Sequence, residues 1–473
     1  MLRTEPVRST PEKRAAFGRQ ARAAVPRSAH AELPLHGTRP DPVALLRSQA
    51  ESRVADLIPI RYGRMASSSF AFFRGAALGM AADLARTPVS GLTVQACGDA
   101  HLMNFGLYSS PERRLVFDVN DFDETLPGPW EWDVKRLAAS IAIAGRERGF
   151  STKERATAVL DTVGQYRLAM RKFAEMRTLE VWYAKLEAVD LVRRLQASAR
   201  GADEKRRVRR RQEDVAKAAT RTNLQAAGKL TRLVDGRPQF VRQPPVLERL
   251  DDLLPDNQRH RLEHGLTDLV ASCAERSLLP ELRSLLSQFE PIDMARKVVG
   301  VGSVGTRCWI ILLVGRDTQD PLILQAKEAQ PSVLERFGPP SEHKNAGERV
   351  VTGQRLMQAS SDIFLGWDDT TGIDGEQRDF YIRQLRDGKG SFDVTQMVPV
   401  GLAAYGRFCG WTLARAHARS GDRIALAAYL GSSDAFDRAV LQFSETYADQ
   451  TERDHAALLA AIKEGSVPAV AGV

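Results

Sequence analysis

The sequence predicts an α+β protein of two lobes, one mainly helical and one a smaller lobe of antiparallel strands. Three observations predict it. Apolar residues recur at helical spacing through most of residues 133–290. After Pro291 the texture changes to KVVGVGSVGTRCWIILLVG and PLILQAKEA, short apolar and β-branched runs bounded by turn residues, as strands are. Helical spacing then returns at 405–419 and 432–463.

In chain order, residues 1–40 read as a basic arm, and 41–50 as a short helix because Pro42 stands one position inside an Asp41 cap. FAFFRGAALGMAADLAR (70–86) keeps helical spacing until Pro88 and Gly91 break it. A strand at 92–96 runs into GDAHLMNFG (98–106). Strands at 105–108 and 114–119, joined by a Ser-Ser-Pro turn, lead to NDFDE at 120–124. Residues 133–290 read as almost entirely helical, apart from a cation-rich stretch at 204–211 and a Pro-interrupted loop at 242–246. The β-rich runs follow, then a helix at 342–358 and a strand at 380–385. The expected division is an arm (1–40), a helical lobe (41–290), a β-rich lobe (291–390) and terminal helices that complete the helical lobe (391–473).

Composition narrows the function classes. A chain of 473 residues, 43% hydrophobic and 27% charged, is neither disordered nor fibrous. Cys97, Cys273, Cys308 and Cys409 form no CxxC pair and accompany no zinc-type His cluster, so reduced thiols are expected. The basic N-terminal stretch has no apolar core, and no run of about 18 apolar residues occurs, so the expectation is a cytoplasmic protein without a membrane span. A net charge of +8 points to an anionic ligand.

The chemistry-bearing spacing is in GDAHLMNFG. Kinase-type catalytic loops place an Asp five residues before an Asn, since the Asp accepts a hydroxyl proton while the Asn holds a metal. Asp99 and Asn104 have that spacing, with His101 between them to orient Asp99 or contact phosphate. A further Asp beyond a hairpin is needed for Mg²⁺. Asp121 is preferred, with Asp123 beside it; Asp118, ending the strand before it, is the competing ligand. The run DFDETLPGP resembles the acid-bearing turn of aminoglycoside and other small-molecule kinases, and Asp133 follows at the head of the helix DVKRLAAS.

A nucleotide clamp is expected further on. Gly300, Gly302, Ser303, Gly305 and Thr306 lie between two β-rich runs, as a phosphate-covering hairpin should. No Gly-Lys-Ser/Thr follows, and the next segment is a strand, which excludes a Walker A loop and a Rossmann turn. Lys327 stands where a clamp places the lysine for the α- and β-phosphates, with Glu348 as its expected partner and Glu335 the nearer alternative. The strand at 380–385, with Gln384, would enter the adenine hinge. Ordinary kinases place the clamp before the catalytic loop, and here it follows by about two hundred residues. A circular permutation accounts for this, with the helix at 405–419 taking the place of the one that leads into the catalytic loop. The fold expected is thus bilobal, protein-kinase-like and circularly permuted. Gly421 and Asp422 imitate a second catalytic loop but lack the Asn.

The motifs RYGRMASSSFAFFRGAA, GDAHLMNFG, VFDVNDFDETLPGPWEWDVKRLAAS, VGSVGTRCWIILLVG, QAKEA, GERVVTGQRLMQ and FYIRQLRD together resemble the bacterial domain of unknown function 2252 family over most of residues 40–420. That resemblance implies a fold grouping and no particular reaction. Arg61, Arg64 and Arg74 lie in the first of these motifs, as phosphate or acidic-substrate ligands or as solvated surface cations. The functional expectation is ATP- and Mg²⁺-dependent phosphoryl transfer to an unidentified hydroxyl acceptor. The alternatives are AMP transfer, as in pseudokinase-type adenylyltransferases, and a non-catalytic nucleotide- or nucleic-acid-binding protein. KRRVRRR (205–211) is the best support for nucleic acid, but no aromatic residues interleave with it, which argues against that partner.

Overall fold

The computed structural model describes residues 9–34, 39–191, 193, 223–385, 390 and 392–472, so the basic run at 205–211 lies outside the described residues. The fold is α+β. Its strands are β1 (Thr93–Ala96), β2 (Phe105–Ser109), β3 (Leu115–Val119), β4 (Leu126–Pro129), β5 (Thr231–Val234), β6 (Arg237–Phe240), β7 (Leu247–Arg249), β8 (Glu290–Lys297), β9 (Cys308–Val314), β10 (Pro321–Ala329), β11 (Gly366–Thr371) and β12 (Gln377–Gln384). Six form one antiparallel sheet in the order β11-β12-β10-β9-β8-β7. The pairs β1–β4, β2–β3 and β5–β6 stand apart from it.

The central strand β10 is buried at all nine positions, which is why it reads as an apolar run without alternation. Leu322, Leu324 and Ala326 pack with Leu266, Leu269 and Cys273 of the helix Asp256–Ser277. Ile323 packs the other way, with Phe240, Ala295, Ile310 and Leu312. The period of two then puts Lys327 on the Ile323 side, opposite Tyr381 in the register.

The helical body is built from Trp130–Glu147, Thr152–Glu175, Pro399–Ser420 and Ala435–Lys463. The second and third cross closely. A Cβ at Gly410 would lie 2.3 Å from the Thr162 carbonyl oxygen, so only glycine fits there.

Several elements differ from expectation. Helix does not run unbroken from 133 to 290: β5 to β7 intervene, and Asp256–Ser277 packs against β11, so chain that belongs with the sheet begins well before residue 291. Residues 70–86 form two helices, Ser69–Gly75 and Ala77–Leu84. The basic arm is docked. Its helix Pro11–Ala24 lies on Arg423–Leu430, with Arg14 paired to Asp422 at 2.7 Å and Gly18 against the Ala425 carbonyl. Asp422, the imitation of a catalytic aspartate, caps Ile424 and Ala425. The four cysteines are buried and unpaired, and among the described residues no helix is long and apolar enough to cross a membrane.

Candidate active site

A cleft of about 640 Å³ opens where the loop 98–106, the NDFDE turn, the Gly-rich loop and the segment 49–77 meet. The strand β1 leads into the loop 98–106. At Gly98 the backbone is left-handed (φ 80°), and a Cβ would lie 2.3 Å from the Glu124 carbonyl oxygen, so the turn into Asp99 requires glycine. Asp133, in the first turn of Trp130–Glu147, accepts the amides of Cys97 at 2.6 Å and Gly98 at 2.9 Å. The same carboxylate meets His417 Nε2 at 3.1 Å, and His417 Nδ1 meets the Tyr166 hydroxyl at 2.9 Å. The loop therefore hangs from a buried polar chain at a helix N-terminus, where a carboxylate is favoured.

One turn further along that helix, Arg136 donates to Asp99 Oδ1 and, at 3.1 Å, to the Phe73 carbonyl. Asn104 Nδ2 donates to the Asp99 carbonyl at 2.7 Å, so its oxygen is the atom left for a cation. Burial raises the Asp99 carboxyl above its usual range, against the pull of Arg136 and Arg74. Burial, with Arg74 and Arg136 nearby, holds His101 well below its ordinary value, so the ring is neutral. Its Nδ1 accepts the Met103 amide at 3.1 Å, which leaves the proton on Nε2, 3.8 Å from Asp99 Oδ2.

On the opposite wall stand Asp121 and Asp123; Lys327, buried and not itself lining the cleft, pairs with Asp123 Oδ2 and lies 4.0 Å from Asp121 Oδ1. The Tyr381 hydroxyl donates to Asp123 Oδ1 at 2.8 Å, and the Ser303 hydroxyl to Oδ2 at 3.2 Å. Burial and the Asp123 charge push Asp121 up. Burial also works against ionised Asp123, but Lys327 and Tyr381 outweigh it and hold that carboxyl low. Burial pushes Glu124 up to about 7. Arg349, 2% exposed, fixes the turn from behind by donating to the carbonyls of Thr125, Asp123 and Gln330 at 2.6–2.8 Å.

The Gly-rich loop joins β8 to β9, and Gly300, Gly302, Ser303 and Thr306 line the cleft. Gly305 does not; its carbonyl accepts the Val54 amide at 2.8 Å. Arg64 donates to the Gly300 carbonyl at 2.6 Å and Arg53 to that of Val304. Segment 49–77 is thus a strap that pins the loop at three carbonyls.

Four expected site residues lie elsewhere or play other parts. Asp118 is 1% exposed and has both oxygens engaged, one by Arg415 at 2.5 Å and one by the Ala359 amide at 2.8 Å, so it is a structural carboxylate outside the cleft. Glu348 faces outward toward His343 at 3.5 Å and does not pair with Lys327. Glu335 caps Ser332 and approaches Arg349 at 3.9 Å. The Gln384 side chain does not line the cleft; the residue's backbone N–H donates to Asp362 Oδ2. Arg415→Met should strand the Asp118 charge and cost about 3–5 kcal/mol, read as a lower urea midpoint at unchanged slope.

Asp133, Arg136, Tyr381 and Arg349 were not picked out as site residues from the sequence. The i, i+3 spacing of Asp133 and Arg136 on one helix face was the available signal for that pair. Among the described residues no three His, Cys, Asp or Glu side chains make a metal-holding group by themselves. Asn104 and Asp121 fit Mg²⁺ in another way, because that ion takes one or two carboxylates and completes its shell with water and phosphate oxygens; the expected third ligand, Asp123, has both oxygens engaged, one by Tyr381 and the other by Lys327 and Ser303.

Fold and site together define an α+β protein with an acid-walled cleft where a six-stranded antiparallel sheet meets a helical body. The chain belongs to the family described as "uncharacterized protein conserved in bacteria (DUF2252)", whose model matches residues 53–461. No curated protein and no solved structure matches it.

Proposed function

We propose that the protein is an ATP- and Mg²⁺-dependent phosphotransferase of circularly permuted protein-kinase-like fold, acting on a hydroxyl acceptor. The observation that carries this reading is the meeting of buried Lys327 with Asp121 and Asp123, two aspartates that line the same cleft as Asp99 and Asn104, across 204 residues of sequence for the Lys327–Asp123 contact. The succession of Gly-rich hairpin, lysine-bearing strand and helix agrees with a kinase nucleotide clamp. The end of Pro399–Ser420 supports the permutation, because Ser420 Oγ accepts the Gln95 amide of β1 at 3.1 Å, beside the strand that delivers the catalytic loop. One departure is chemical: the lysine partner is Asp123, and the helix Ala346–Met357 supplies Arg349 in place of a glutamate.

In this reading Asp99, held by Arg136, accepts the proton of the acceptor hydroxyl. The hydroxyl oxygen bonds to the γ-phosphorus, the bond to the bridging oxygen breaks, and ADP leaves. Asn104 and Asp121 would hold Mg²⁺, which when bound neutralises phosphate charge, while Asp123 holds Lys327 in place. Lys327 supplies a fixed positive charge to the α- and β-phosphates, and the amides of residues 300–306 cover them.

The test is thermal unfolding with ATP, GTP and Mg²⁺, singly and together. Mg²⁺ with ATP should raise the midpoint progressively, by the equivalent of about 2.7 kcal/mol at a hundredfold excess over Kd. No shift with any nucleotide would sink the reading. Mass spectrometry of the product separates the outcomes, since an adenylyl increment in place of a phosphate would make it an AMP transferase.

A further inference from the structure

The strap brings three arginines to the cleft, Arg53, Arg61 and Arg74, and none of its cleft-lining residues is acidic. Arg53 donates only to the carbonyls of Gln49 and Val304. Arg61 donates to the carbonyls of Leu46 and Gly75 and to the Gln49 side chain. Arg74 is different: its Nε is buried with no hydrogen-bond partner, and it has no ion pair among the described residues. Burial lowers all three below the usual guanidinium range. A cation taken out of water is costly unless an anion meets it, and a guanidinium fork suits phosphate or carboxylate.

The cleft therefore has two walls of opposite character. Asp121 and Asp123, with buried Lys327 paired to them, form the wall suited to a metal-bound triphosphate, their charges already matched to one another. The arginines form the other, and Arg74 is close enough to Asp99 and His101 to act on the charge of both. An acceptor hydroxyl approaching Asp99 brings the rest of its molecule toward that wall.

We propose that the strap is the acceptor-binding element and that Arg74, with Arg53, takes an anionic group, so that the acceptor is a small alcohol carrying a phosphate or carboxylate. The word acceptor rests on the phosphotransferase reading; the anion site does not.

The test uses the full chain and its Arg74→Gln and Arg74→Lys variants, titrated with glycerol 3-phosphate and with glycerol, with and without Mg²⁺ and a non-hydrolysable ATP analogue. Glycerol 3-phosphate should bind alongside the analogue, and glycerol should not. Arg74→Gln should weaken the phosphate probe roughly 10- to 100-fold, as expected for one charge-assisted hydrogen bond, and leave the analogue unaffected. Arg74→Lys should recover part of the loss. Because Arg74 makes no hydrogen bond or ion pair among the described residues and reaches Asp99 only through its charge, the Gln variant should melt close to the parent without ligand, a result that a structural arginine would not give. Two outcomes overturn the proposal. One is no Arg74-dependent binding of the probe. The other is competition between probe and analogue, with the analogue weakened by Arg74→Gln, which would assign the arginine to the triphosphate. Arg74-dependent probe binding without any nucleotide binding would keep the anion site and defeat the phosphotransferase reading alone.

Discussion

Lys327→Met should lower the stability of the protein by about 3 kcal/mol, the low end for breaking a buried ion pair, because Asp123 retains some access to water. Methionine fills a similar volume but leaves Asp121 and Asp123 facing each other without the ammonium that holds both. The urea midpoint should fall at unchanged slope. Adding Asp123→Asn should return part of the loss, since the repulsion then has only one charged member. On the phosphotransferase reading neither variant binds nucleotide measurably. A Lys327→Met protein that melts at the parent midpoint would show that the ammonium contributes nothing to the turn.

The second large effect is kinetic. On the phosphotransferase reading, Asp99→Asn should reduce turnover by about 10²- to 10⁴-fold, the usual contribution of a positioned base, while nucleotide-dependent stabilisation stays within a few-fold of the parent. The asparagine oxygen can still accept from Arg136, so the loop keeps one of its anchors. Turnover at the parent rate would remove Asp99 from the mechanism.

Much of the cleft was legible because its residues announce themselves locally. The Asp99 and Asn104 spacing, the acid-rich turn and the Gly-rich stretch are each readable within a dozen residues, and the continuous apolar character of β10 marks it as a central strand. What failed depended on direction. On Ala346–Met357, Glu348, Thr352 and Arg355 share the outer face, while Gly347, Arg349, Val350 and Gly353 turn inward, so helix phase decided against Glu348 and for its neighbour. Asp118 looked like a metal ligand from its strand position, but its burial beside Arg415 depends on a contact 297 residues away. The docked helix at 11–24 was hidden by its composition. It attaches through Arg14 and through the close approach at Gly18, and neither makes an apolar stripe.

The reach of the Lys327–Asp123 pair also sets a schedule. At roughly 5–20 residues per second, a ribosome makes the acid turn some 10–40 s before it makes the lysine 204 residues later. During that interval the nascent chain carries Asp121 and Asp123 without the ammonium that meets both, so those two carboxylates stay hydrated. Burial of the NDFDE turn therefore waits on synthesis of β10, whereas Asp99 meets Arg136 only 37 residues further on.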